Sequence, residues 1–169
     1  RKGMTQNPMD LQYLIDRAAI HDLHVRYFQG LDRCDAQQVR GCFTGDIQAW
    51  YDERPPTRGI DTLMASFRTF KRMEQGRMKI TTHFMGNLNV IQLEGDHAET
   101  ETNALAFLVE PAQPAGLISM RSLRYLDRLR RTADGWRICE RVHTLDWSCK
   151  VAADFAVGFA QRVTALPSA

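Results

Sequence analysis

Two residues of this chain are of the right type to move a proton without a cofactor. Asp32 lies in Arg26-Tyr27-Phe28-Gln29-Gly30-Leu31-Asp32-Arg33-Cys34-Asp35, and His83 lies about fifty positions later in Lys79-Ile80-Thr81-Thr82-His83-Phe84-Met85. Asp32 stands where the apolar helix face Ile20, Leu23, Tyr27, Leu31 runs out, beside Gly30, a residue that can end a helix. A carboxylate at the edge of a core needs a partner, and so does a histidine in the middle of a Thr-rich strand. If the two meet, the carboxylate fixes one imidazole nitrogen as a donor and leaves the other nitrogen's lone pair free to accept a proton. It also stabilises the imidazolium that forms. Tyr27, Tyr51, Asn103 and Arg141 are types that can donate to a developing oxyanion. Trp50, Phe67, Phe84, Met85, Phe107 and Met120 could wall a dry pocket. His143 shares its parity with Arg141 and Cys139 and is a further pocket candidate. Plainer roles remain open: Asp32 could pair with Arg33 or Arg26, Tyr27 could be core, and Arg141 could pair with Glu99 or Glu101 across a sheet. His21, His24 and His97 read as surface or turn residues.

The elements that must position these residues follow from periodicity and turn chemistry. Asn7-Pro8-Met9-Asp10 opens a long helix with Asp10 as N-cap, and the apolar face moves from Leu11, Leu14, Ile15, Ala18 and Ala19 to Ile20, Leu23, Tyr27 and Leu31. Asp35 caps a short second helix through Val39 to Phe43. Residues 46–51 read as a strand, Pro55-Pro56 break the chain, and Ile60 to Met73 read as a third helix. After Gly76, Met78–Ile91, His97–Val109, Leu117–Arg131 and Trp136–Trp147 read as long strands. Glu94-Gly95-Asp96 and Ala133-Asp134-Gly135 read as hairpin turns, and Pro111 to Gly116 as a looser connection. Residues 148–166 read as a closing amphipathic helix. Helices followed by a four-strand meander predict an α+β fold: a strongly curved antiparallel sheet with N-terminal helices on its concave face, a cone-shaped barrel enclosing a pocket.

Composition narrows the functional classes. A chain of 169 residues with 44% hydrophobic and 25% charged residues fits one soluble globular domain, taken as 4–169 with its core at 10–147. Arg1-Lys2-Gly3 read as a tag remnant. A net charge of +2 asks for neither nucleic acid nor an anionic membrane. The run Arg121, Arg124, Arg128, Arg130, Arg131 splits between two sheet faces beside Asp127, Asp134 and Glu140, so it reads as a solvated face or subunit interface. No apolar run is long enough to span a bilayer. Cys34, Cys42, Cys139 and Cys149 have no zinc-site spacing and read as reduced thiols in a cytoplasmic protein. No phosphate loop, nucleophile elbow or metal-ligand cluster is present, so neither metal nor cofactor is expected.

At this point the residues carry a resemblance. Arg17-Ala18-Ala19-Ile20-His21-Asp22-Leu23, then Arg26-Tyr27 and Leu31-Asp32, resemble the opening of SnoaL-like proteins of the nuclear-transport-factor-two-like superfamily. The Thr-rich strand with His83 and the ending Asp134-Gly135-Trp136-Arg137-Ile138-Cys139-Glu140-Arg141 match as well, so the resemblance spans residues 10–147. It implies the cone-shaped α+β fold. In the dehydratase and dehydrochlorinase branch, an aspartate ending the first helix orients a strand histidine that acts as base, which implies Asp32 as orienter and His83 as base. Tyr27 falls at a pocket tyrosine of the dehydratases and Arg141 at a catalytic arginine of the dehydrochlorinase. Tyr51 and Asn103 fall near pocket donors. The dehydrochlorinase has lysine where this chain has Tyr27, so the resemblance favours dehydration over halide loss. The aspartate base of ketosteroid isomerase is not evident.

The expectation is a cofactor-independent lyase, isomerase or cyclase acting on a small, hydrophobic, oxygenated ring compound, in a homodimer or homotrimer. The alternative is a non-catalytic ligand-binding or partner-subunit domain, resembling the small subunit of ring-hydroxylating dioxygenases.

Overall fold

The computed structural model describes residues 10–78, 80–110 and 116–152. Helix α1 (Leu11–Arg33) starts at Asp10, whose carboxylate accepts the Gln12 N–H at 3.0 Å. It ends at Cys34, which takes the left-handed conformation (φ 58°) that closes a helix C-terminus. Gly30 is therefore interior to the helix and serves packing: a Cβ there would meet Val39 Cγ2 at 2.7 Å. That close approach seats α2 (Ala36–Arg40), capped by Asp35 through the Gln38 N–H at 2.9 Å.

The segment expected as one helix over Ile60–Met73 is two, α3 (Ile60–Ser66) and α4 (Arg68–Glu74), because Phe67 between them has extended backbone. Strand β1 (Phe43–Tyr51) and the short β2 (Thr57–Arg58) precede α3. Four long strands follow: β3 (Ile80–Glu94), β4 (His97–Val109), β5 (Leu117–Thr132) and β6 (Gly135–Ala152). Gly95 (φ 55°) and Gly135 (φ 94°) turn the two hairpins with positive φ, as their turn sequences require. The sheet order is β2-β1-β6-β5-β4-β3, with β1 parallel to β6 and the other pairs antiparallel. The curved sheet is thus mixed rather than purely antiparallel, and among the described residues it is not closed into a barrel, since β2 and β3 stand at its two ends. A β1 that enters after two helices can join beside β6 only in the direction its long connection permits, and meander periodicity cannot report that.

Ser148–Ala152 continue β6 rather than starting a helix, since they pair with Leu117–Arg121 of β5. The remainder of the expected closing helix, 153–166, lies outside the described residues, as do Arg1–Met9 and most of the Pro111–Gly116 connection. Among the described residues no helix is long and apolar enough to cross a membrane.

The core forms where α1 crosses the concave face. Ile20, Leu23, Tyr27 and Leu31 are all buried there, against Ala104, Leu123, Tyr125 and Leu129 of the sheet. The first two turns of α1 do the reverse of what their apolar face suggested. Leu11, Leu14 and Ile15 are exposed, while Asp16 is buried, accepting from Trp136 Nε1 at 3.2 Å and Arg131 Nη2 at 2.7 Å. Those hydrogen bonds hold the carboxyl of Asp16 below its usual range against the opposing effect of its burial.

Candidate functional site

Asp32 leaves the last turn of α1 directed at the edge strand β3. Its Oδ1 lies 2.7 Å from His83 Nδ1, and its Oδ2 accepts the His83 backbone N–H at 2.8 Å. One carboxylate therefore grips both the main chain and the ring of one residue, which fixes the rotamer as well as the tautomer. An ionised carboxylate only accepts, so facing one Nδ1 carries the hydrogen, and in a neutral ring the lone pair is then on Nε2. Phe28, four positions before Asp32 and so on the same helix face, stacks on the imidazole with centroids 5.7 Å apart. Phe28 was missed in the sequence, although its spacing from Asp32 was the available signal.

His83 lines a cavity of about 300 Å³ between α1, the α3–α4 junction and the concave sheet face. Tyr27, Tyr51, His143 and Phe67 line it too. Tyr51 and Phe67 meet edge to face at 6.0 Å, and the break between α3 and α4 is what turns Phe67 inward. The Tyr51 hydroxyl is buried beside Tyr27 and makes no hydrogen bond of normal geometry among the described residues. The His143 ring stacks on Tyr51 at 4.9 Å, and its Nδ1 lies 3.4 Å from Asp52 Oδ1 without forming a hydrogen bond. Burial pushes the His143 pKa down to about 4, against the pull of Asp52, so the ring is neutral at neutral pH. Burial also raises Tyr27 and Tyr125 above the ordinary tyrosine range, so both keep their protons.

Arg141 does not line this cavity. It is fully buried behind Tyr27, its guanidinium 4.2 Å from the Tyr27 ring, 4.6 Å from Tyr125 and 5.3 Å from Phe43. Both Nε and Nη2 donate to Asp127 at 2.7 Å, so its partner is neither Glu99 nor Glu101. A bulge between Arg128 and Leu129 of β5, opposite Cys139, shifts the phase of β6. Ile138, Arg141 and His143 consequently face inward and Cys139 outward, contrary to the simple parity reading. His24, expected at the surface, is fully buried, 3.3 Å from the Thr100 hydroxyl and 3.8 Å from Asp127, and burial pushes its pKa down to about 4.

Most of the expected pocket wall is on the other side of the sheet. Phe84 pairs with Leu105, Ser122 and Trp147 in one outward row, and Phe107 pairs with Met120 in the next. Phe84 is 68% exposed. Asn103, paired with Arg124, and Trp50, paired with Val142, also face outward. Met85 lies on the concave face but packs into the core rather than the cavity wall. Aromatic composition could not decide sides, because one residue of register reverses every side chain of a strand. Sequence reasoning also missed Tyr125, Asp52, Arg54 and Arg68 as cavity residues. Arg121, in the sequence one of a run of basic residues, lines the cavity as well. Among the described residues no group of three or more His, Cys, Asp or Glu is placed to hold a metal ion. Burial raises the Cys34 thiol, which fits a packing and capping role.

Comparison with known proteins follows the same lines. The model of the SnoaL-like domain family matches residues 12–142. An uncharacterized protein of Mycobacterium tuberculosis is 28% identical over 144 residues, covering 83% of this chain and 92% of that protein. Among solved structures, a scytalone dehydratase-like protein of Novosphingobium aromaticivorans superposes with a TM-score of 0.71 at 17% identity, over 81% of this chain and 88% of that one. A hexachlorocyclohexane dehydrochlorinase of Novosphingobium barchaimii gives a TM-score of 0.71 at 16% identity, over 90% and 99%. At these identities the two structures speak for the fold alone.

Proposed function

The chain belongs to the SnoaL-like domain family, and from that premise we propose that it is a lyase or isomerase of the dehydratase type, acting on a small oxygenated ring compound with His83 as base. The observation that carries this reading is the 2.7 Å contact of Asp32 with His83 on the wall of a cavity. Nε2 removes a proton from a carbon next to a carbonyl, and Asp32 stabilises the imidazolium that results. The Tyr51 hydroxyl, in the cavity wall beside Tyr27, donates to the oxygen on which charge accumulates, or to a departing hydroxyl. Tyr27 shapes the wall between substrate and Arg141. The base itself requires no cofactor, and dehydration, double-bond migration and ring closure share this first step.

The test isolates that step. Ring ketones such as 1-tetralone and 2-tetralone are incubated with the protein in D2O, and deuterium entry at the α-carbon is followed by NMR. Exchange should be catalysed and should fall by ~10²–10⁴-fold in His83→Gln, with circular dichroism checking that the variant is folded. Equal exchange by wild type and His83→Gln, or none by either across ring ketones, rejects the base assignment and leaves the ligand-binding alternative.

A homo-oligomer also remains a proposal. It is supported by the outward apolar rows, in which Phe84 (68%) and Trp147 (51%) are the most exposed. Light scattering of the purified chain tests it, and a monomer at every concentration rejects it.

A further inference from the structure

The cavity carries more positive charge than proton abstraction needs. Three of its lining residues are arginines, Arg54, Arg68 and Arg121, against one aspartate, Asp52. The Asp52 carboxylate is already engaged, accepting the Leu145 N–H at 2.8 Å beside the His143 ring. Arg54 donates from Nε to the Tyr51 carbonyl and lies over the Tyr51 ring at 5.3 Å, which holds its guanidinium at the cavity mouth. Among the described residues neither Arg121 nor Arg68 has a carboxylate partner.

Strand β5 makes the contrast plain. Its outward arginines are all paired: Arg124 with Glu101 and Asp146, and Arg128 with Glu99 and Glu140. Arg130 and Arg131 hold Asp46, Asp16 and Asp96. Arg121 sits on the same strand, between Ala106 of β4 and Ser148 of β6, half-buried on the cavity side and without such a pair. A partly desolvated guanidinium needs an anion more than the solvated ones do, since its lost hydration is otherwise uncompensated. Arg121 and Arg54 both act electrostatically on His143, so their charges converge on one region of the wall. In that wall the Tyr51 hydroxyl is buried beside Tyr27.

We propose that the ligand of this cavity is a ring compound bearing a carboxylate, gripped by Arg121 from the wall and by Arg68 and Arg54 at the mouth. A planar guanidinium matches a carboxylate through two parallel hydrogen bonds. The charged end is thereby fixed on the β5–β6 side, and the uncharged part of the ring extends toward His83. This deepens the proposed function by naming its substrate class, and only the identity of the reacting end rests on that reading.

The experiment measures binding, not turnover. 2-Naphthoate and 2-naphthylmethanol, close in shape and different in charge, are titrated into the full chain by calorimetry. Naphthoate should bind about tenfold or more tightly than the alcohol, because charge-assisted hydrogen bonds are about twice as strong as neutral ones. Arg121→Gln should erase that preference and Arg68→Gln should reduce it several-fold. His83→Gln should leave it intact. Rising salt should shrink it. Equal affinity of the two probes, no naphthoate binding up to about 5 mM, or a preference untouched by both arginine variants overturns the proposal. Should Arg121→Gln fail to fold, Arg68→Gln decides, because Arg68 is an exposed residue at the start of α4. A carboxylate preference without deuterium exchange would sink the base assignment and keep this one; exchange of neutral ketones without the preference would do the opposite.

Discussion

Two clusters of the same residue types lie within two helical turns of each other, and they do different work. Near the cavity, Asp32 holds His83 through Nδ1, and no hydrogen bond engages the second ring nitrogen among the described residues. Deeper in the cone, Asp127 holds Arg141 through two hydrogen bonds, with His24 and Thr100 beside it and every side chain fully enclosed. The Tyr27 ring separates them, with the cavity on one side and the Arg141 guanidinium 4.2 Å away on the other. The deep cluster sets its charges against one another out of reach of solvent, although Arg141 Nη1 and His24 Nδ1 make no hydrogen bond there among the described residues. The cavity cluster differs in access: His83 lies on the cavity wall, where a ligand can reach its ring, and reactivity depends on that access.

The sharpest way to break this contrast is to remove the carboxylate from each cluster in turn. Asp127→Ala leaves a buried guanidinium without its counter-charge and should cost about 3–5 kcal/mol, lowering Tm by roughly 10 °C or more. Asp32→Asn keeps the shape of a partly exposed side chain and should cost less than ~2 kcal/mol. Its effect should appear in catalysis, as a ~10²–10⁴-fold loss of proton exchange from a misoriented imidazole. Urea denaturation of both variants checks the first pair of numbers and the D2O assay the second. If Asp32→Asn unfolds the protein as readily as Asp127→Ala, the two clusters are both structural and the distinction collapses.

The cavity cluster was legible in the sequence because its members announce themselves locally. Asp32 interrupts an apolar helix face, and His83 interrupts a Thr-rich strand. The two hairpin turns and the caps at Asp10 and Asp35 were legible for the same reason: each is a short-range signal. The deep cluster was not, because the burial of Arg141 and His24 depends on Asp127, a residue hidden in a run of arginines, and on a bulge that no periodicity reveals. The pocket wall failed for a related reason. Trp50, Phe84, Phe107 and Met120 have the composition of a wall, but register places them on the convex face, where the same hydrophobicity suits association instead. Register is set by pairing across the sheet, which a single strand does not encode.

Each cluster region also holds a buried histidine that responds to pH. Burial holds both His143 and His24 at a pKa of about 4, below the ordinary 6.5. The unfolded chain therefore binds protons between those values that the folded chain refuses. Stability is full above about pH 6.5 and declines as pH falls toward 4, by up to about 1.4 kcal/mol per pH unit for each histidine. His143→Phe keeps a flat ring against Tyr51 and should reduce that slope by up to one proton, leaving the share of His24. Chemical denaturation at half-unit steps from pH 7 to 4 measures both slopes. An unchanged slope would mean that His143 is already protonated in the fold, with Asp52 as its counter-ion.

The smallest effect expected is from an arginine on the outer face. Arg128 reaches both Glu99 and Glu140 at 2.9 Å, yet its side chain is 60% exposed. Solvent screens such pairs, and ordering two long side chains offsets much of their attraction. Arg128→Ala should leave Tm and proton exchange within measurement error, in contrast to any change at the Arg141–Asp127 pair. Thermal unfolding at two protein concentrations and two salt concentrations checks this. A drop of several degrees that depends on protein concentration would mean that this face is buried between copies of the chain, where the same ion pairs lose their water and gain strength.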